Sequence, residues 1–418
     1  MATHFNTISW ANSAVIYEVN IRQYTPEGTF AAFAKHLPRL KQMGVDVLWL
    51  MPITPISFIK RQGSLGSYYA CSSYTKINEE FGIINDFKSL VNAAHQLGLK
   101  VIIDWVANHT GCDHEWTKTN KDFYRLDADE NFTERNGWND VIDLNYDSAA
   151  MRNAIINAMK YWIKECDIDG FRCDMAHLVP LEFWNDARQK CDAIKPLFWL
   201  AETEQMDYHN VFDVSYAWAW MHETEKLVKG ENSLNDVYNI LHQYSQYPAG
   251  AKKLFFTANH DENSWTGTEY DKYGKFAKAF AVFTFTWQGT PLIYSGQEAA
   301  NKKQLAFFDK DLIAFNNNFL LQNFYTTLSS LHKLKAITDG EIFILPTQNN
   351  AMAYLRKHNE NVVLVMLNLS KQDRVKLTVN HEWLQGSFTS IFSGLQINFN
   401  KQETFELMSG DYIVLKNF

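Results

Sequence analysis

The chain has 418 residues, of which 46% are hydrophobic and 21% charged, with a formal net charge of −8. That balance is globular and supplies a sizeable core, enough for one large domain or two to three ordinary ones. No Lys/Arg cluster of nucleic-acid type and no run of 18 apolar residues is present, which argues against a nucleic-acid partner and against a spanning helix. The five cysteines (Cys71, Cys112, Cys166, Cys173, Cys191) are odd in number and lack CxxC spacing, so neither a disulfide framework nor a zinc site is expected. The opening "MATHFNTISW" lacks a charged start and an apolar stretch. A cytoplasmic location is therefore expected, or a periplasmic or secreted one if a signal was removed.

Up to about residue 300, strand-like and helix-like segments alternate. "AVIYEVNI" is a short apolar run, and "TFAAFAKHLPRLKQMG" reads as a helix closed by Gly44. "VDVLWLMP" is the second strand, "INDFKSLVNAAHQLG" a helix, and "LKVIIDWVANH" the third strand. "SAAMRNAIINAMKYWIKEC" is a helix opened by Asp147 or Ser148, followed by the strand "IDGFRCD", a helix around "PLEFWNDARQKC" and the strand "LFWLAE". "NVFDVSY", "LFFTANHDE" and "TPLIYSG" complete eight strands, each separated by a helical stretch. Apolar strands between amphipathic helices indicate a parallel sheet covered by helices, and eight such units indicate a (β/α)8 TIM barrel. No GxGxxG follows a strand, which removes the signature of the dinucleotide-binding alternative.

Two regions break this rhythm. Residues 110–142 are polar and aperiodic, yet Trp116, Phe123, Tyr124, Phe132 and Trp138 mark them as an ordered insert after the third strand. After residue 338 the pattern becomes short alternating runs such as "NVVLVMLNLS" and "RVKLTV", divided by turn residues. That is the pattern of a C-terminal all-β sandwich domain. The expected organisation is a barrel over 1–109 and 143–337, a small inserted subdomain over 110–142, and the β domain over 338–418.

The active site of such a barrel lies at the C-terminal ends of its strands. The third strand ends with Asp104, Asn108 and His109, and the fourth with Arg172 and Asp174. The fifth ends with Glu202, and the seventh with His260, Asp261 and Glu262. Arg172 and Asp174 are two residues apart on a strand, so both point the same way. One buried charge can be a packing accident, but charges are rarely buried without a partner, and four charged strand ends at one mouth call for chemistry.

In this order, "VIIDWVANH", "GFRCDMAHL", "LAETE" and "FTANHD" resemble the four signature segments of the α-amylase superfamily, glycoside hydrolase family 13. "GVDVLWLMPITP", "GSYYACSSYTKINEEFG" and "GTPLIYSGQE" resemble further segments of that family. The resemblance implies a retaining mechanism on α-glucosidic bonds. Asp174 would be the nucleophile, Glu202 the general acid/base and Asp261 the transition-state stabiliser. Retention needs two carboxyls about 5–5.5 Å apart, with the nucleophile ionised and the acid protonated. Arg172 is expected to hold the Asp174 pKa down, and Glu202 to sit in a drier place near Trp199 or other carboxylates. The resemblance also places Tyr69, His109, Arg172, His177 and His260 against substrate, Tyr69 as a stacking platform. Asp104 is expected to serve structure, bonding Arg172 or strand-end amides, rather than to react. Trp218, Trp220 and Trp265 fit outer subsites or the core equally well. Ser73 stands where many members carry aspartate.

No cofactor is needed for this chemistry. Asn108 and Asp143 match the places of calcium ligands in calcium-binding members, although two donors fall short of the six to eight oxygens a calcium ion takes. The implied partner is an α-glucan, with no nucleic acid or membrane; the oligomeric state is left open. The expected activity is α-amylase-type cleavage of α-1,4 bonds. Open alternatives are a maltogenic or cyclodextrin-cleaving enzyme, an α-1,6-glucosidase or a transglycosylase. A catalytically silent binding barrel would be expected to lose at least one of the three carboxylates.

Overall fold

The computed structural model describes residue 5 and residues 7–248, 250–315, 318–348 and 350–418. The barrel is built from Ile16–Val19 (β1), Val47–Leu50 (β2) and Lys100–Trp105 (β3). An antiparallel pair, His109–Gly111 (β4) and Val141–Asp143 (β5), interrupts them. Gly170–Cys173 (β6), Phe198–Ala201 (β7), Val214–Tyr216 (β8), Lys252–Phe255 (β9) and Thr290–Tyr294 (β10) complete the barrel. The parallel sheet closes in the order β1-β10-β9-β8-β7-β6-β3-β2, so all eight sequence-read strands take part. Nearly every strand residue is buried, because the barrel interior lies on one face and the helices on the other.

Acidic residues just before alternate strands tie the lower rim. Asp46 accepts from Val15 N (3.1 Å), Asp169 from Val101 N (2.9 Å) and Asp213 from Trp199 N (2.8 Å). Each satisfies a backbone donor at the start of the neighbouring strand, where no ladder partner exists. At Gly170 a Cβ would stand 2.1 Å from Phe198 O. Only glycine lets β6 approach β7 this closely, and this approach sets the height of Arg172 and Asp174 in the barrel.

The helix read over "TFAAFAKHLPRLKQMG" is in fact two, Phe30–Ala34 and Leu37–Gln42. Pro38, at the second position of the latter, has no N–H to give to the preceding turn, so one helix cannot run through. Ser148, not Asp147, caps Ala149–Cys166, its hydroxyl accepting from Met151 N. That helix ends at Asp167, which adopts the left-handed conformation (φ 55°) and turns the chain into β6.

The C-terminal strands form one antiparallel sheet: Glu341–Leu345 (β11), Ala351–His358 (β12), Asn361–Asn368 (β13), Arg374–Ser390 (β14), Gln396–Met408 (β15) and Tyr412–Lys416 (β16). "RVKLTV" and "SFTSIF", read as separate runs, belong largely to the single strand β14, whose pairing with β15 is interrupted between Asn380 and Gln385. β14 also packs against β11, β12 and β13, so the sheet folds over its own core. Alternation explains the core: Ala353, Leu355, Leu364 and Met366 face β14, whereas Tyr354, Val363 and Val365 join the barrel's core. Arg356 is wholly buried at this junction and donates to the carbonyls of Thr286, Ile337 and Gly340. Among the described residues no helix is long and apolar enough to cross a membrane.

Candidate active site

On β6 the side chains alternate. Phe171 and Cys173 are fully buried, and Phe171 packs between the Trp105 and Trp199 rings. Arg172 points the other way, into the barrel, and is also fully covered. Its Nη1 donates to Asp104 (3.0 Å to Oδ1) and to Asp174 Oδ1 (2.9 Å). Its Nη2 lies 2.8 Å from Glu202 Oε2, and its Nε donates to Tyr216 Oη at 3.0 Å. One guanidinium thus gathers three carboxylates from β3, β6 and β7, a planar fork doing what a lysine could not.

Arg172 differs from its expected part. It has no exposed surface and does not line the cavity that Asp174, Glu202 and Asp261 line, so it holds the carboxylates rather than substrate. Nor does it control Asp174 by itself. Burial, then the Glu202 charge, push the Asp174 carboxyl well above the ordinary carboxylate range, and Arg172 pulls against both.

Glu202 follows β7 with its main chain tied to Cys173 O and Ala176 N. Its Oε2 accepts from Met175 N at 2.8 Å, which leaves Oε1 for the cavity. Met175 aims that N–H by adopting a left-handed backbone, φ 40° and ψ 46°, directly after Asp174. Such conformations are costly for a side chain other than glycine and persist where the surroundings impose them.

His260 is buried behind Tyr69 rather than open to a sugar. Its Nδ1 meets Glu18 Oε1 at 2.5 Å, and its Nε2 meets Tyr69 Oη at 2.6 Å and Asp261 Oδ2 at 3.3 Å. Tyr69 in turn donates to Asp104 Oδ2 at 3.0 Å. One face of the Tyr69 ring already stacks on His260, with centroids 5.5 Å apart.

Above this network lies a 260 Å³ cavity lined by Asp174, Glu202 and Asp261, and by Tyr69 and His109. Trp138, Trp265, Phe307 and Phe308 also line it. His109 is buried, which lowers its pKa to about 4, so it is neutral. Asn108 Nδ2 lies 3.1 Å from its Nδ1, and an amide donating there leaves the imidazole proton on Nε2. His177 sits on the turn Ala176–Leu178 and does not line the cavity. The three tryptophans divide: Trp220 is core, Trp218 packs on Phe256, and Trp265 is 59% exposed at the cavity.

At the suggested calcium pair one donor oxygen is already engaged. Asp143 Oδ2 takes Arg135 Nε at 2.8 Å and Thr133 Oγ1 at 3.3 Å, so its charge is already covered by a guanidinium. The Asn108 amide is turned to His109. Among the described residues no group of three or more His, Cys, Asp or Glu is arranged to hold a metal ion. Ser73 donates to Glu115 Oε1 at 2.9 Å and so ties its loop to the inserted segment.

The alpha-amylase catalytic-domain model matches residues 9–231 and 196–320, which takes in the whole barrel. The chain belongs to the alpha-amylase family. An alpha-amylase from Lactobacillus plantarum shares the fold with a TM-score of 0.89 and 27% identity, over 98% of this chain and 99% of that one. A maltogenic alpha-amylase from Thermotoga neapolitana also has a TM-score of 0.89, with 30% identity over 97% of this chain and 98% of that one. Alpha-amylase MalA of Haloarcula japonica is 25% identical over 395 residues, 88% of this chain. The chain spans 57% of the length of that relative.

Glu18, Met175, Phe307 and Phe308 are among the residues of this alpha-amylase-family site that escaped the sequence reading. Glu18 carried a usable signal, the one charge in an apolar strand, which is the same anomaly that drew attention to Arg172. Met175, Phe307 and Phe308 carried none, since a backbone N–H and a loop aromatic follow no period.

Proposed function

We propose that this protein is a retaining α-glucan hydrolase of α-amylase type, acting on α-1,4 bonds. What carries the reading is the pair Asp174 and Glu202 on the two arms of one buried guanidinium, at a cavity that Asp261 also lines. The site holds Glu18, Asp104, Asp174, Glu202 and Asp261 against the single fixed cation Arg172 and the histidine His260. Burial and like charge raise the carboxyls of Glu18, Asp104, Asp174 and Asp261 together. The reaction requires a proton on Glu202. Since Oε2 already accepts from Met175 N, Oε1 is the oxygen left to face the leaving group.

In the first step an oxygen of Asp174, in the ionised form that Arg172 favours against burial and the Glu202 charge, attacks the anomeric carbon. The glycosidic C–O bond breaks, and Glu202 gives its proton to the departing oxygen. Asp261 stabilises the positive charge that grows on the sugar ring. Glu202, now ionised, takes a proton from water, the water attacks the same carbon, and Asp174 is released. His109 Nε2–H and the Tyr69 ring would hold the sugar in place.

A second reading narrows the substrate. The cavity is small and collared by Trp138, Trp265, Phe307 and Phe308, which favours short maltooligosaccharides or cyclodextrins over long starch chains. Product analysis on amylose, pullulan, a cyclodextrin and maltotriose separates the two. If the protein cleaves none of these, the enzyme reading falls.

A further inference from the structure

Strand β1 buries one charge between Tyr17 and Val19, the fully covered Glu18. One of its oxygens lies 2.5 Å from His260 Nδ1, and the other is buried without a hydrogen-bond partner. Burial pushes the Glu18 carboxyl up and His260 pulls it down, so a charged Glu18 depends on a charged His260 beside it. A charged imidazole carries a proton on both nitrogens. Nε2 then donates to Tyr69 Oη, and Tyr69 directs its own proton to Asp104, which holds Arg172. Asp261 Oδ2, 3.3 Å from Nε2, faces a positive edge.

Were His260 neutral, Glu18 would keep the Nδ1 proton and Nε2 would present a lone pair. Tyr69 would turn its proton to His260, Asp104 would lose a donor, and Asp261 would face a lone pair instead of a cation.

We propose that Glu18 is a positioning residue of the active site: by holding His260 as an imidazolium it fixes the direction of the hydrogen-bond chain from β1 to Arg172 and orients Asp261 at the cavity. The role of Asp261 in this chain rests on the function proposed above.

The charged and titratable groups around His260 are Glu18 from β1, Tyr69 from the loop after β2, Asp104 from β3, Arg172 from β6, and the adjacent Asp261. Tyr216 and Tyr294 lie near Glu18. Burial works against the imidazolium, but Asp261 and Glu18 outweigh it and lift the His260 pKa to about 9.

The test follows His260 by NMR in protein labelled with ¹³C-histidine, its signal assigned by loss in His260→Asn. In the wild type the signal should report a charged ring at pH 7 that titrates near 9. In Glu18→Gln the titration should fall by about 1–3 pH units, as expected when an adjacent opposite charge is removed. The alkaline limb of kcat/KM on maltooligosaccharides should move with it. A neutral His260 at pH 7 in the wild type, or an unmoved titration in folded Glu18→Gln, overturns the proposal. If Glu18→Gln does not fold, the wild-type titration decides alone. The NMR reading needs no turnover. An inactive protein with a shifted His260 would sink the proposed hydrolysis and leave the placement of Glu18 standing.

Discussion

Arg172 Nη1 lies 2.9 Å from Asp174 Oδ1, and both groups are buried, although they are only two residues apart on one strand. The same guanidinium reaches Asp104 and Glu202. Lysine is a point charge with no fork and cannot reach three carboxylates from one rigid group. Arg172→Lys should therefore fold but lose about 10²–10³ in kcat, the scale for removing one preorganised donor. Arg172→Ala should cost about 3–5 kcal/mol of stability, because it leaves buried carboxylates uncompensated. Steady-state kinetics and denaturant melts check the two arms.

Tyr69→Phe keeps the ring at the cavity but cuts the link from His260 to Asp104. Leaving buried polar groups unpaired costs about 1–3 kcal/mol, so kcat/KM should fall by about 10–100-fold. Tyr69→Ala should fall further, having lost the ring as well. Equal losses in the two variants would mean that the ring carries no part of sugar binding.

Trp138 packs on His109 with centroids 5.1 Å apart, and Trp265 is exposed at the cavity rim. Under the proposed hydrolysis each would stack on a sugar rather than react. Trp138→Ala and Trp265→Ala should raise KM for maltooligosaccharides by about 2–10-fold, the worth of one aromatic contact, with kcat little changed. A kcat collapse with constant KM would contradict these assignments.

His332 is fully buried at a helix end, with Nδ1 at 3.0 Å from Phe285 O, and burial lowers its pKa to about 4. The unfolded chain binds that proton near pH 6.5, so between 6.5 and 4 the unfolded state holds more protons. The His332 contribution to stability is therefore complete above pH 6.5 and lost as pH falls through 4. The stability gap between wild type and His332→Asn should narrow over this window, measured by urea melts at several pH values. A gap that widens on acidification would show a charged His332 in the fold.

The barrel was legible because its strands are continuous apolar runs bounded by helices, a pattern that only a sheet covered on one face and filled on the other produces. The polar residues at strand ends were legible for the same reason, as charges where none should be. Glu18 obeyed that rule and was still passed over, since a single charge near the chain start does not stand out beside the Arg172–Asp174 pair. The hydrogen bond of Met175 to Glu202 follows from one left-handed residue, which no residue type there announces. Trp138 lay in an aperiodic insert, where the aromatics promised order but not which ring would reach the cavity. The pairing of Asp143 with Arg135 depended on the course of the same insert and could not be read from the sequence.

The central claim is that Asp174 forms a covalent bond to the substrate's anomeric carbon. The most direct measurement is mass spectrometry of the peptide containing Asp174 after reaction with a fluorinated α-glucosyl fluoride, which slows breakdown of the intermediate. A glycosyl mass on Asp174 in the wild type, absent from Asp174→Asn, is the predicted result; a glycosyl mass on another residue, or none while the protein hydrolyses α-glucans, would contradict it.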